Sequence, residues 1–202
     1  MRERPILFSG VMVRAILDGR KTQTRRIVKQ SHISSTEIRR DGEGELWMRD
    51  TYHCPHGQPG DRLWVRETWQ HSNHPFGPYE PACDVFYRAD YLDDPLGPDL
   101  EKSPDGIRRQ WRPSIHMPRA ASRITLEVSA VRGERLHHVN EIDARAEGCP
   151  PSWLDAGDNK TVHCGEPTYR NGFARLWRDI HGGSSWQANP WVWVISFRRI
   201  DK

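Results

Sequence analysis

The chain passes from a helix pattern to a strand pattern within one stretch, Ile16-Leu17-Asp18-Gly19-Arg20-Lys21-Thr22-Gln23-Thr24-Arg25-Arg26. Upstream of it, Ser9 is a residue type that caps helix N-termini, and Gly19 is a type that ends helices. Between these two, four apolar residues recur at helical spacing: Met12, Val13, Ile16 and Leu17. The pattern predicts a helix over 9–19 with one apolar face, followed by an extended segment.

The segment after this helix concentrates polar chemistry. If it is extended, Lys21 and Thr24 point to opposite faces, whereas a turn brings the two side chains together. Either geometry sets hydroxyl and ammonium groups beside fixed positive charge, which suits an anionic or strongly polar ligand. A basic, solvated loop explains the same residues without any ligand.

Composition sets the outer limits of the interpretation. The chain has 202 residues, of which 36% are hydrophobic and 28% charged, which is enough for one domain with its own core. A net charge of only +3 argues against a sequence-blind coat on DNA. Arginine supplies 25 of the 30 basic residues, and there are nine tryptophans. Arginine with tryptophan is a combination that stacks exposed bases, although tryptophan is also common in cores and interfaces.

Cysteine usage and hydropathy bear on the compartment. The four cysteines are widely spaced and form no CxxC pair, so reduced thiols in a cytoplasmic protein fit best. No stretch approaches the length of an apolar membrane span, and no membrane partner is expected. A metal site remains an alternative if the fold joins two clusters of possible ligands: His53, Cys54 and His56 with His163 and Cys164.

Strand and helix patterns alternate along the chain without strict βαβ order. Strands are predicted at 4–8, 46–49, 62–69, 84–89, 122–131 and 191–197, the last apolar on both faces and therefore central. Helices are predicted at 140–148, with Ile142 and Ala146 on its apolar side, and at 173–182. We expect an α+β fold, a small mixed β-barrel with short flanking helices. Residues 1–202 form a single domain, with irregular insertions at about 30–58, 73–110 and 149–166.

Several of these segments together resemble a known family. They are the Gly19-Arg20-Lys21-Thr22-x-Thr24 motif, the Gly60-Asp61 turn before a strand, the strand at 124–131 and the short helix containing Glu147. These features resemble the ASCH domain family, which is related to the PUA-like β-barrels. The whole chain is similar to longer phage and prophage-type members, through segments 4–8, 60–67, 115–119 and 189–193.

The resemblance implies an activity. Small bacterial members of the family are amidohydrolases that deacylate N4-acetylcytidine with a lysine, a threonine and a glutamate, which match Lys21, Thr24 and Glu147. For this chain we expect a reaction without a metal or cofactor. From the chemistry of amide hydrolysis we assign, as a hypothesis, Thr24 as nucleophile or water positioner, Lys21 as base and Glu147 as orienter or acid. The chain departs from the small members by Arg25-Arg26 after the motif and by a length about twice theirs. A purely structural explanation is also open: Thr24 pairs within a strand, and Lys21 is a solvated loop charge held by an exposed Glu147.

Further residues are candidates for binding the modified nucleoside or RNA. Arg20, Arg25 and Arg26 flank the motif, and Arg66, Glu67 and Trp69 follow the Gly60-Asp61 turn, where Trp69 is placed to stack on a base. A sheet-surface ion pair and a core indole explain the second set equally well. Two rival functions stay open: a noncatalytic RNA-binding module and a metal-assisted ribonuclease.

Overall fold

The computed structural model of the chain describes residues 1–29, 38–40, 46–48, 54–74, 76–93, 110–155, 161–162 and 166–200. It contains a mixture of helices and strands, in agreement with the predicted α+β class. The helices are α1 (Gly10–Leu17), α2 (Glu141–Ala146) and α3 (Tyr169–His181). The strands are β1 (Glu3–Leu7), β2 (Gln23–Ile27), β3 (Ile38–Arg40), β4 (Leu46–Met48), β5 (Arg62–Arg66), β6 (Trp69–His71), β7 (Val85–Tyr87), β8 (Thr125–Arg135), β9 (Leu154–Asp155), β10 (Thr161–Val162) and β11 (Trp191–Ile200).

Five of these strands form the main sheet, in the order β1-β5-β8-β11-β2. Strands β1 and β5 are parallel, and every other neighbouring pair is antiparallel. Three two-stranded pairs, β3/β4, β6/β7 and β9/β10, stand outside this sheet. Strands β1 and β2 are therefore the two edges of the main sheet.

Strand β11 lies inside the sheet and is buried on both faces, as its sequence predicts. Trp193 and Ile195 belong to a core that α1 covers, whereas Val192 and Val194 belong to a second core built with α2 and α3. Because side chains alternate along a strand, one apolar strand supplies both cores. Helices therefore cover both faces of the sheet, α1 on one face and α2 with α3 on the other.

Helix α1 follows the predicted apolar stripe. Val13 and Ile16 are buried in the first core, and Gly19 has φ +72, a conformation that ends the helix without strain. Ser9 does occupy the N-cap position, but its side chain makes no capping hydrogen bond.

Helix α2 differs from its predicted orientation. Asn140 caps it as expected, accepting a hydrogen bond from the Asp143 backbone N (2.8 Å). Ile142, however, is 81% exposed, and the buried residue is Ala144. The prediction that Ile142 lies on the buried side is therefore wrong, because this short helix turns a charged side toward the sheet.

One predicted strand proves to be two. Strand β5 ends at Arg66, and Trp69 begins β6, which pairs with β7 rather than with the main sheet. The longest strands are β8 and β11, whose pairing shifts register between Ser196 and Phe197. Among the residues that the structure describes, no helix is long and apolar enough to cross a membrane.

Candidate functional site

The C-terminal end of α2 is tied to the strand-like segment after Gly19. Lys21 and Glu147 form an isolated antiparallel bridge, and the backbone N of Thr22 donates to the carbonyl O of Ala146 (2.9 Å). Two residues 126 positions apart are thereby held side by side by the backbone. The pairing of Lys21 with Glu147 is a property of the fold.

The ammonium group of Lys21 is completely enclosed. Its Nζ donates to Oε2 of Glu147 (2.9 Å), to the carbonyl O of Glu147 (2.9 Å) and to that of Gln23 (2.8 Å). The side chain is 0% exposed, and the pKa of Lys21 is lowered, because burial disfavours the cation more than the neighbouring Glu147 carboxylate favours it. Lys21 is therefore easier to deprotonate than an ordinary lysine.

Glu147 joins two cations. Its Oε2 accepts from Lys21, and its Oε1 accepts from Nη1 of Arg25 (3.0 Å). The residue is only 3% exposed. A carboxylate in this position is held by charge-assisted hydrogen bonds at both oxygens.

Arg25 extends this network across the sheet. Its Nη2 donates to Glu134 on β8 (2.7 Å) and to Asp143 on α2 (3.0 Å), and both carboxylates also pair with Arg132. Burial works against the Arg25 cation, but the carboxylates of Glu147 and Glu134 outweigh it, so the pKa of Arg25 is raised. We call these six residues the α2 charge cluster: Lys21, Arg25, Arg132, Glu134, Asp143 and Glu147.

Thr24 lies on the other side of β2. It pairs with Ile195 of β11, and residues directly opposite in an antiparallel pair share a face. Thr24 therefore faces the core that contains Ile195, whereas Arg25 faces the α2 charge cluster. The predicted threonine is buried at 3% but is not one of the residues that surround Glu147.

A cavity of about 310 Å³ adjoins Glu147. It lies between the start of α1, the segment at 147–152 and α3, and we call it the Glu147 cavity. Its lining includes Ser9, Met12, Glu147, Cys149, Ser152 and Arg175. Glu147 thus connects a buried lysine to a space large enough for a small ligand.

The three arginines near the motif have separate roles in the fold. Arg25 is part of the α2 charge cluster. Arg20 is exposed and pairs with Asp18 (2.8 Å), and its Nη1 donates to the carbonyl O of Gly148 (3.2 Å). Arg26 donates to the carbonyl O of Leu7 (2.6 Å), and burial lowers the pKa of Arg26. Of the three, Arg20 is exposed, Arg26 is partly exposed and Arg25 is buried.

The candidates after the Gly60-Asp61 turn lie elsewhere. Glu67 is 2% exposed and accepts both arms of the Arg123 guanidinium (3.0 and 3.1 Å), which also pairs with Asp90. Burial raises the pKa of Glu67, although Arg123 opposes this shift. We call Glu67, Arg123 and Asp90 the Arg123 clamp.

Arg66 and Trp69 are also outside the α2 charge cluster. The Arg66 guanidinium stacks over the ring of Trp64 at 4.6 Å. Trp69 is 1% exposed, and its ring contacts Tyr79 edge-on and Arg112 face-on. Trp69 therefore occupies a small core with Met117 and Ala121, the alternative that the sequence left open.

The residues considered for a metal are only partly described. His53, His163 and Cys164 lie outside the described residues. Cys54 packs in the first core, where burial raises the pKa of its thiol to about 11. Within the described ranges, no group of three or more His, Cys, Asp or Glu residues is arranged to hold a metal.

One part of the α2 charge cluster has a recognisable signal in the sequence that our prediction did not use. Asp143 and Glu147 are four residues apart, so they share one side of α2. That spacing can indicate a buried acidic face as well as a solvated one. Glu134 and Arg132 carried no such signal, because they join the site only through the pairing of β8 with β11.

Comparisons with models of protein families, with curated proteins and with solved structures gave no match.

Proposed function

We propose that the chain is an ASCH-type protein that hydrolyses the exocyclic amide of an N4-acylated cytidine, with Glu147 as the acid–base group. One observation carries this proposal: Glu147, whose carboxylate is bound at 2.9 Å to a fully buried lysine, is among the residues that line a cavity of about 310 Å³. A carboxyl group beside a space for a ligand is a candidate for proton transfer, provided that it lies within hydrogen-bond reach of the reacting atoms.

The proposal includes a PUA-like barrel. Strands β1 and β2 are the edges of the five-stranded sheet, and Arg26 on β2 donates to the carbonyl O of Leu7 at the end of β1. Such a contact requires the two edges to approach each other, which a flat five-stranded sheet does not allow because neighbouring strands lie about 4.8 Å apart. A strongly curved sheet with short flanking helices is the architecture expected of the family.

The reaction follows from the position of Glu147. Water attacks the acyl carbon and gives a proton to the Glu147 carboxylate, which then delivers it to the exocyclic nitrogen as the carbon–nitrogen bond breaks. The products are a carboxylic acid and the free amine of cytidine, and Glu147 regains its charge.

Lys21 acts through Glu147 in this account. Its side chain is 0% exposed, and Lys21 is not among the residues that line the Glu147 cavity. We assign it as a positioning residue that fixes the carboxylate and its charge. Thr24 takes a supporting role in the strand, because β2 turns it toward the opposite core.

The noncatalytic RNA-binding module is retained as the second candidate, because of one specific observation. All three N–H donors of Lys21 are engaged within the protein, and both oxygens of Glu147 are in ion pairs. A network closed in this way also serves as structural support for a binding pocket.

Release of cytidine from N4-acetylcytidine, followed by chromatography with and without a chelator, tests the proposal. We expect release by the unaltered protein in both conditions, and a rate about 10²- to 10⁴-fold lower for Glu147→Gln. Arg198→Gln is the matched control, since Arg198 pairs with Glu127 on the sheet away from the cavity and is 70% exposed.

A folded, unaltered protein that releases no cytidine would contradict the hydrolase proposal. So would a Glu147→Gln variant as fast as the unaltered chain. Retained binding of RNA without any turnover would favour the binding module.

A further inference from the structure

A second cavity lies against the first. It has a volume of about 290 Å³ and is lined by Gly19, Arg20, Arg145, Gly148, Cys149 and Tyr169, and we call it the arginine cavity. Gly148 and Cys149 line the Glu147 cavity as well. The two spaces therefore share a wall of two residues, directly after Glu147.

This wall is fixed to the proposed reaction centre. Gly148 has φ +80, and a Cβ on it would lie 2.7 Å from Cβ of Lys21 and 2.9 Å from Cβ of Ala15. The chain is thus packed against Lys21 with no room for a side chain. Arg20 donates to the carbonyl O of Gly148 (3.2 Å), so the guanidinium is anchored on the same wall.

The wall itself offers no nucleophile. Burial raises the pKa of the Cys149 thiol to about 11, and its Sγ donates to the carbonyl O of Ala144 (3.4 Å). At neutral pH the thiol is therefore protonated and occupied. The cavities differ in their charged groups, not in a reactive cysteine.

The arginine cavity has the chemistry of a phosphate site. Arg20 comes from the loop after α1 and Arg145 from α2, so two independent elements contribute an arginine to the lining of one space. Arginine presents a planar fork that matches phosphate oxygens. Tyr169 adds a phenol and an aromatic ring, over which the Arg145 guanidinium lies at 5.7 Å.

The anionic partner already present is weakly held. Arg20 pairs with Asp18 through side chains that are 56% and 55% exposed. A surface pair of this kind contributes little and is readily exchanged. Arg145 makes no ion pair with any carboxylate in the described part of the chain.

We propose that the arginine cavity binds a phosphate of the substrate, so that the protein acts on a nucleotide, free or within RNA, rather than on a free nucleoside. This inference rests on the proposed function. The Glu147 cavity is at the lower limit of ligand-site volumes and holds one acylated base. The sugar then lies along Gly148 and Cys149, where the two cavities meet, and the phosphate lies between Arg20 and Arg145.

The test compares three substrates: N4-acetylcytidine, its 5′-monophosphate and a short RNA containing one N4-acetylcytidine. We expect kcat/KM for the monophosphate or the RNA to exceed that for the nucleoside by about tenfold or more in the unaltered protein. Arg145→Gln lowers this ratio toward one, and the surface variant Arg198→Gln preserves it. A preference for the RNA alone identifies the phosphate as one within a chain, and a preference for both identifies the substrate's own 5′-phosphate.

Calorimetric titration with cytidine and with cytidine 5′-monophosphate separates this inference from the proposed function. Tighter binding of the monophosphate that Arg145→Gln abolishes supports the phosphate site even if no substrate is hydrolysed. Equal kcat/KM values for nucleoside, monophosphate and RNA, or a phosphate preference that survives Arg145→Gln, overturn the phosphate site and leave the hydrolase proposal standing.

Discussion

Two glutamates in this molecule are almost equally buried, yet their surroundings differ in kind. Glu147 is 3% exposed and Glu67 is 2% exposed, and each is bound to at least one arginine. Both carboxylate oxygens of Glu67 accept hydrogen bonds from a single guanidinium, that of Arg123. Glu147 is held by Lys21 and Arg25 from separate directions and lines a cavity.

The comparison shows that burial and ion pairing do not by themselves identify a site. A forked arginine pair beside Asp90 gives Glu67 a structural role, the fastening of Arg123 to the end of β5. The α2 charge cluster has the same kinds of pairs, but it also adjoins a space for a ligand. Of the Glu147 cavity and the arginine cavity, both lined by residues that the structure describes, one includes Glu147 in its lining and neither includes Glu67.

We expect the largest difference in unfolding free energy between the variants that remove Arg25 from the α2 charge cluster and Arg123 from the Arg123 clamp. Arg25 has a side chain that is 0% exposed, and Arg25→Gln leaves the carboxylates of Glu134, Asp143 and Glu147 without their shared cation. Breaking a buried pair in this way costs about 3–5 kcal/mol of unfolding free energy. Denaturant unfolding measures it.

The matched variant is Arg123→Gln, whose side chain is 24% exposed in the parent. Because only one of the two carboxylates that remain, Glu67, is buried and the other, Asp90, is 44% exposed, we expect a smaller loss of about 1–3 kcal/mol. An equal loss in the two variants would show that the two clusters are energetically alike and would remove the contrast.

A smaller effect is expected in the pH dependence of stability. The pKa of Lys21 is lowered in the folded protein, so between that value and the ordinary lysine value the unfolded chain holds more protons. Unfolding free energy therefore rises with pH between the lowered pKa of Lys21 and the ordinary lysine value. Unfolding curves at several pH values give the difference in unfolding free energy between the unaltered chain and Lys21→Met. We expect this difference to change with pH in favour of the unaltered chain as pH rises. A difference that is independent of pH would show that Lys21 titrates normally in the folded protein.

The smallest effect concerns the outer side of α2. Ile142 is 81% exposed, so Ile142→Ser should change the unfolding free energy by no more than about 0.5 kcal/mol. The orientation of α2, with its charged side inward, requires this result. A loss of 2 kcal/mol or more in thermal or denaturant unfolding would place Ile142 in a core and reverse the helix.

The sequence predicted the elements better than their orientation. The apolar stripe from Met12 to Leu17 and the two-faced strand from Trp191 are local patterns, and both are confirmed. Helix α2 was predicted from the same rules and its apolar side was wrong, because Ile142 outweighs Ala144 in hydropathy. The charged side of α2 faces inward because Asp143 and Glu147 pair with Arg25 and Lys21, which lie far away in the sequence.

The candidate site was predictable to a similar extent. The proximity of Lys21 and Glu147 was an expectation of the resemblance, and the bridge between them is present. The separation of Thr24 from Glu147 depends on which face of β2 meets α2, and alternation alone does not decide that. The break between Arg66 and Trp69 likewise depends on the partner strand β7, which a period-two pattern cannot reveal.

The most direct test of the central claim, that Glu147 faces the ligand, is a crystal structure of Glu147→Gln soaked with N4-acetylcytidine. We expect the base in the Glu147 cavity, with its acyl amide within hydrogen-bond distance of the side chain at position 147. Ligand bound beside Glu67 and the Arg123 clamp, or anywhere away from residues 147–152, would contradict it.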